Sequence, residues 1–86
     1  MGTMAVKVKL MPTSPDVALE EIKDRVGKIT NCPTKFEEEP IAFGLKAIIA
    51  SFGWSEDKEL DPLEEELRKI ENVNSVEIID IRRAFG

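Results

Sequence analysis

Carboxylates are the most numerous ionisable side chains in this sequence. Two runs of three, Glu37–Glu39 and Glu64–Glu66, could bind a cation if their oxygens converged. Consecutive side chains alternate faces on a strand and fan out by about 100° on a helix, so neither run points at a single ion. We therefore predict solvated surface at both runs and no metal site.

The residue types needed for catalysis near neutral pH are largely missing. The 86 residues contain no histidine, and Cys32 is the one cysteine. The commonest general base is therefore absent, and so is any Ser–His or Cys–His pair. The sequence has neither a GxGxxG nor a GxxxxGK[ST] loop for a nucleotide. We predict a protein that is not an enzyme, with no catalytic residue and no cofactor.

The net charge and the length of the chain further limit the kinds of protein that this sequence can encode. Twelve Lys and Arg residues against seventeen Asp and Glu residues give a net charge of −5, which disfavours nucleic-acid binding and suits a basic protein partner. The length fits one small domain, residues 1–86. The single cysteine, the lack of a signal-peptide pattern and the lack of an apolar run of about 20 residues favour a cytoplasmic protein without membrane contact. We expect it to be a monomer when free.

Hydrophobic periodicity predicts the elements that position these side chains. Strands are predicted over 4–11, 34–38, 43–54 and 75–84. Helices are predicted from Pro15 to about Ile29 and from Pro62 to about residue 72, because both stretches carry aliphatic residues at i, i+3, i+7 and i+10. With right-handed crossovers, the order β-α-β-β-α-β predicts an α+β, ferredoxin-like sandwich. Its four-stranded antiparallel sheet would carry both helices on one face and leave the other face open.

The segment between the two β-α-β repeats, Glu39–Leu45, has too many special residues for a plain hairpin. Pro40 and Gly44 would shape a loop whose backbone can approach a partner closely. Phe43 has two interpretations: it is either a docking residue or a core residue at the start of the third strand.

The last predicted strand has aliphatic residues on both faces. One pair can join the core, whereas the other pair, Ile79 and Ile81, would face outward beside Arg82, Arg83 and Phe85. An apolar patch next to cations is typical of a docking surface.

With these segments in place, the sequence resembles the archaeal elongation factor 1-beta family over nearly its whole length. The resemblance rests on segment 39–45, on Met11–Val17 after the first strand and on the ending Asp80–Arg83, in this order on the predicted frame. It implies a guanine nucleotide exchange factor that promotes GDP release from the translational GTPase elongation factor 1-alpha.

The resemblance also implies roles for particular residues. In eukaryotic relatives an aromatic residue at the start of the third strand docks on the GTPase, and Phe43 matches it. A lysine near the C-terminus of those relatives enters the magnesium and phosphate region, and Arg83 stands in its place with a larger, planar cation. We expect the open face, rimmed by the corner at 39–45 and the C-terminal arginines, to enter the nucleotide cleft of the partner. The candidate partner-binding residues are Pro40, Ile41, Phe43, Gly44, Ile79, Ile81, Arg82 and Arg83.

Two other classes share this fold. An RNA-binding domain would use aromatic strand residues, and Phe43 and Phe52 faintly match that pattern, but the first strand has no stacking aromatic and the net charge is negative. A small enzyme of the acylphosphatase type, or a ligand-sensing domain of the same fold, would need a phosphate-binding loop with arginine after the first strand, and Met11–Ser14 has no such loop.

Overall fold

The sheet is built on β1, which runs from Thr3 to Pro12 and pairs with a strand on each side. The computed structural model describes residues 2–84. The other elements are α1 (Leu19–Thr30), β2 (Thr34–Pro40), a short 3-10 turn (Ala42–Gly44), β3 (Lys46–Ser55), α2 (Asp61–Arg68) and β4 (Val73–Ala84). The strand order is β2-β3-β1-β4, and all three pairings are antiparallel. This confirms the predicted α+β, ferredoxin-like fold.

The core lies between one face of the sheet and the two helices. Alternate residues of β1 and β3 lie directly opposite each other and share this face. They form one buried cluster with the predicted aliphatic stripes of the helices, and burial of each large aliphatic side chain contributes about 1.5–3 kcal/mol. The cluster consists of Val6, Val8, Leu10, Ile22, Val26, Ile48, Ala50, Phe52, Leu63, Leu67, Ile70 and Val76. We call the other face, which neither α1 nor α2 covers, the open face.

The first helix begins later than predicted. α1 starts at Leu19 rather than at Pro15. The Val17 amide donates to the Ser14 carbonyl (3.3 Å), so Pro15 occupies the second position of a turn, where its fixed φ is favourable. The helix ends at Thr30, and the next residue, Asn31, has a left-handed φ of 53°, which is a common way for a helix to end.

The second helix ends earlier than predicted. α2 begins at Asp61 with Pro62 in its first turn, as expected, but it ends at Arg68. A tighter turn follows, in which the Ile70 amide donates to the Leu67 carbonyl (3.2 Å). This turn keeps Ile70 in the core although it lies outside the helix. Within residues 2–84, no helix has the length and apolar character needed to cross a membrane.

The third strand also begins later than predicted. β3 starts at Lys46, not at Phe43. Phe43 and Gly44 have φ values of 64° and 76°, and such left-handed backbone is incompatible with a β ladder. The chain therefore turns a corner at these two residues before the strand forms.

Candidate partner-docking site

The β2–β3 corner, residues 40–45, displays one large aromatic side chain. The Ile41 amide donates to the Leu45 carbonyl (2.7 Å), which closes the corner, and Phe43 and Gly44 lie between them in left-handed conformations. For a residue with a side chain this conformation costs about 1–2 kcal/mol. The Phe43 side chain is 92% exposed, so burial within the described residues does not offset that cost. The core interpretation of Phe43 is therefore wrong.

The other candidate residues of the corner frame this aromatic ring. Pro40 is exposed and ends the edge strand β2, while Ile41 is half-buried. Gly44 lies beside the loop that follows β1, because a Cβ built on it would be 3.9 Å from the Cβ of Pro15. That is an ordinary contact, so the positive φ is what favours glycine at this position.

A one-residue bulge changes the geometry predicted for β4. Ile79 is the extra residue between Ile78 and Asp80 where the strand pairs with β1. The bulge shifts the alternation, so Ile81 lies opposite Val6 on the helix-bearing face. The prediction that strict alternation places Ile79 and Ile81 together on the outward face is wrong for this reason. Both side chains are nonetheless accessible on this edge strand, at 44% and 48% exposure.

Both candidate arginines are paired with carboxylates of the same chain. Arg82 lies opposite Ala5 on the open face, and its Nε lies 3.0 Å from an Asp80 oxygen. Arg83 lies on the other face, and its Nε donates to Glu56 (2.9 Å). Neither partner was predicted from the sequence. The i, i+2 spacing of Asp80 and Arg82 on a strand could have revealed the first, but a separation of 27 residues gives no local signal for the second.

The expected single rim is not formed, because the corner and the arginines lie at opposite ends of the sheet. Lys46, just after the corner, is the first residue of β3, whereas Arg83 aligns with Met4 and, through it, with Trp54. The steps from Lys46 to Trp54 span roughly 26 Å at about 3.3 Å per residue. β3 and β4 lie on either side of β1 and are both antiparallel to it, so both strands end at the same end of the sheet. Phe85, predicted beside the arginines, lies outside the described residues.

A match to a known protein family identifies the function of this chain. The family model described as the EF-1 guanine nucleotide exchange domain matches residues 5–84. The chain belongs to this family. Guanine nucleotide exchange on EF-1 is therefore its function, and this match favours that reading over the RNA-binding alternative. The match includes the β2–β3 corner and both arginines.

Individual members of the exchange-domain family support the same assignment. The chain is 42% identical over 89 residues to elongation factor 1-beta of Methanothermobacter thermautotrophicus, covering 96% of this chain and 98% of that protein. It is 43% identical over 88 residues to elongation factor 1-beta of Methanobrevibacter smithii, with coverage of 96% and 98%. With elongation factor 1-beta of Methanosarcina barkeri it shares 35% identity over 88 residues, covering 96% and 99%. The resemblance to archaeal elongation factor 1-beta is confirmed.

Proposed function

We propose that this chain binds elongation factor 1-alpha and promotes GDP release from it, without making or breaking a covalent bond. The observation that supports this proposal most directly is the exposure of the Phe43 side chain, which a left-handed turn of an exchange-domain fold holds out to solvent. In this proposal residues 1–86 act as a single exchange domain in the cytoplasm. The domain is a monomer when free, and it uses no cofactor, metal ion, nucleic acid or membrane.

The separation of the two candidate ends implies contact with two regions of the GTPase. Phe43 lies beyond one end of the sheet and Arg83 at the other, and the strand segment from Lys46 to Trp54 between these ends spans roughly 26 Å. The aromatic end supplies docking energy, because full burial of a Phe side chain contributes about 1.5–3 kcal/mol. The arginine end supplies a cation close to the phosphates, where it competes with the Mg²⁺ that helps a GTPase to hold GDP. Ile79 and Ile81 flank this cation as accessible aliphatic contacts.

Thermodynamic linkage sets the size of the effect that these contacts must produce. If the exchange factor weakens GDP binding by a given ratio, GDP weakens binding of the factor by the same ratio. Each tenfold loss of GDP affinity corresponds to about 1.4 kcal/mol of coupling. A contact contributes to this coupling only if it forms when GDP binding is weakened and not in the GDP-bound complex. One buried aromatic residue and one charge-assisted hydrogen bond of this kind, at about 1.5–3 kcal/mol each, are sufficient for a coupling of about a hundredfold or more.

The test is the release of fluorescent GDP from elongation factor 1-alpha with and without the protein. We expect marked acceleration by the wild-type chain, and a loss of about tenfold or more in Phe43→Ala or Arg83→Ala, from the energies above. Arg25→Ala, which removes an exposed cation from α1, is the matched control and should retain full activity. Circular dichroism would verify that each variant is folded.

The possible failures of this experiment have different meanings. If the wild-type chain does not accelerate GDP release, the proposed function is wrong. If it does so and both site variants remain fully active, the family assignment holds but these residues are not the docking site.

A further inference from the structure

The open face carries its charged side chains in two halves of opposite sign. Residues that lie opposite each other across the strands define rows on this face. Among the described residues, the half near the C-terminal arginines has three cations and one carboxylate, a net charge of +2. The half near the β2–β3 corner has one cation and three carboxylates, a net charge of −2. The cation half comprises Lys7, Lys35, Arg82 and Asp80, and the carboxylate half comprises Lys9, Glu37, Glu39 and Glu77.

The two halves are far enough apart to act separately on a partner. Along the strands their centres differ by three to four residues, roughly 11 Å at about 3.3 Å per residue. The screening length at physiological ionic strength is about 8 Å, so a group placed over one half is largely shielded from the other. The net charge of the open face therefore changes sign along the strands, from positive at the end near the C-terminal arginines to negative at the end near the β2–β3 corner.

Small side chains leave room for a partner to approach the cation half. Ala5 and Gly53 lie directly opposite each other, and they form the floor of a shallow hollow bordered by Lys7 and Arg82. A Cβ on Gly53 would lie 3.1 Å from Cγ2 of Thr3, so the floor would be crowded by any larger residue. Asp80 also borders this hollow, and its carboxylate pairs with Arg82 (3.0 Å), so an entering carboxylate or phosphate oxygen would meet a net charge of +1 at the margin.

We propose that the open face is a directional docking surface for elongation factor 1-alpha. The carboxylate half faces a basic patch of the GTPase, and the cation half faces the side that holds the nucleotide phosphates. This inference rests on the proposed function. It is continuous with that function, because the cation half adjoins Arg83 and the carboxylate half adjoins the corner that carries Phe43.

Opposite charges on the two halves select one orientation of the complex. In the reversed orientation like charges would face each other, which disfavours that complex and slows its formation. In the productive orientation the field attracts the partner before contact, which raises the association rate in a salt-dependent way. The two halves therefore govern the capture of the GTPase, whereas Phe43 and Arg83 act after capture.

Paired charge reversals test this division of roles. One variant carries Lys7→Glu and Lys35→Glu, and the other carries Glu37→Lys and Glu39→Lys. The controls reverse equal numbers of exposed charges on the helices or at the end of α2: Lys28→Glu with Lys69→Glu, and Glu21→Lys with Glu65→Lys. The readout is the concentration that gives half-maximal GDP release from elongation factor 1-alpha, at low and at high salt.

We expect each open-face variant to raise the half-maximal concentration by about tenfold at low salt, and by no more than about twofold at high salt. The maximal release rate should be unchanged, because Phe43 and Arg83 are intact. The inference is overturned if the open-face variants match their helix controls, or if reversal of either half lowers the half-maximal concentration. Failure of the wild-type chain to release GDP would instead overturn the proposed function.

Discussion

Arg83 is tied to Glu56 across the end of the sheet: its Nε donates a hydrogen bond of 2.9 Å to a carboxylate oxygen of Glu56. Glu56 is itself fixed, because its amide donates to the Gly2 carbonyl (3.0 Å). Its carboxylate lies against Gly2, where a Cβ would be 2.7 Å from an oxygen. The contact therefore joins the ends of three strands. A phosphate or another group of the GTPase that binds the Arg83 guanidinium competes with this carboxylate for it.

Removal of the Glu56 charge should make Arg83 more available to the partner. The arginine side chain is 84% exposed and that of Glu56 is 28% exposed, so the pair contributes only about 0.2–1 kcal/mol. We expect Glu56→Gln to lower the half-maximal concentration for GDP release by about 1.4- to fivefold, which corresponds to that energy. Titrations of the exchange factor against GDP-loaded elongation factor 1-alpha would measure it.

Two further variants make this prediction specific. Asp57→Asn removes the neighbouring charge without touching Arg83 and should have little effect. In an Arg83→Ala background, Glu56→Gln should have no effect, because the competing pair no longer exists. Weaker exchange in Glu56→Gln would contradict the prediction, and would show that Glu56 orients Arg83 rather than competing for it.

Because the backbone at Phe43 is strained, we expect a substitution of this residue to affect the stability of the fold and the exchange activity differently. The left-handed conformation costs a residue with a side chain about 1–2 kcal/mol, and the exposed ring gains little burial in return. Phe43→Gly should therefore leave the free energy of unfolding unchanged or raise it by up to about 1 kcal/mol, while exchange activity falls as in Phe43→Ala. Urea denaturation and GDP release measure the two quantities.

The neighbouring glycine supplies the opposite control for this corner. Gly44 has φ 76° and room for a methyl group, so Gly44→Ala should lower the free energy of unfolding by about 1 kcal/mol through backbone strain alone. If Phe43→Gly were destabilising instead, the corner would owe its conformation to contacts of the ring and not to the backbone.

The parts of the fold that local patterns control could be predicted from the sequence. The spacing of Ile22 and Val26 on α1, and of Leu63 and Leu67 on α2, identifies the buried stripes because a helix repeats every 3.6 residues. The element boundaries failed where a turn replaced the expected pattern. The apolar run that begins at Phe43 is indistinguishable from a strand until the left-handed backbone is known.

The candidate site depended on contacts that local patterns do not encode. The pair formed by Glu56 and Arg83 is long-range, and the bulge at Ile79 arises from how two strands pair. The separation of Phe43 from Arg83, in contrast to these contacts, could have been predicted, because it follows from the predicted topology. β3 and β4 run in the same direction in this fold, so a residue before β3 and a residue at the end of β4 must lie at opposite ends of the sheet.

A salt bridge between α1 and the edge strand β2 predicts how stability depends on pH. Lys23 Nζ lies 2.8 Å from a carboxylate oxygen of Glu38. The hydrogen bond from Lys23, and then its charge, lower the pKa of Glu38 below the ordinary value of 4.5. The same hydrogen bond, with help from Glu20 and against the effect of desolvation, raises the pKa of Lys23 above 10.5.

The directions of the two pKa shifts set the pH window in which this salt bridge stabilises the fold. A carboxylate whose pKa is lowered by folding stabilises the native state above its unfolded pKa, and this stabilisation is lost as the pH falls through the folded pKa. A lysine whose pKa is raised contributes fully below its unfolded pKa, and its contribution is lost as the pH rises through the folded pKa. Stabilisation is therefore expected between about pH 4.5 and 10.5 and is lost outside this range.

Comparison of Glu38→Gln with the wild-type chain tests this window. The wild-type chain should unfold at a higher urea concentration at pH 7, and the difference should shrink as the pH is lowered below 4.5 and Glu38 becomes protonated, because a protonated Glu38 resembles glutamine. Glu37→Gln removes an equal charge from the open face of the same strand and should produce a smaller difference at pH 7, since its side chain points away from α1. A difference for Glu38→Gln that does not shrink as the pH is lowered below 4.5 would mean that the charge of Glu38 is not what joins β2 to the helix.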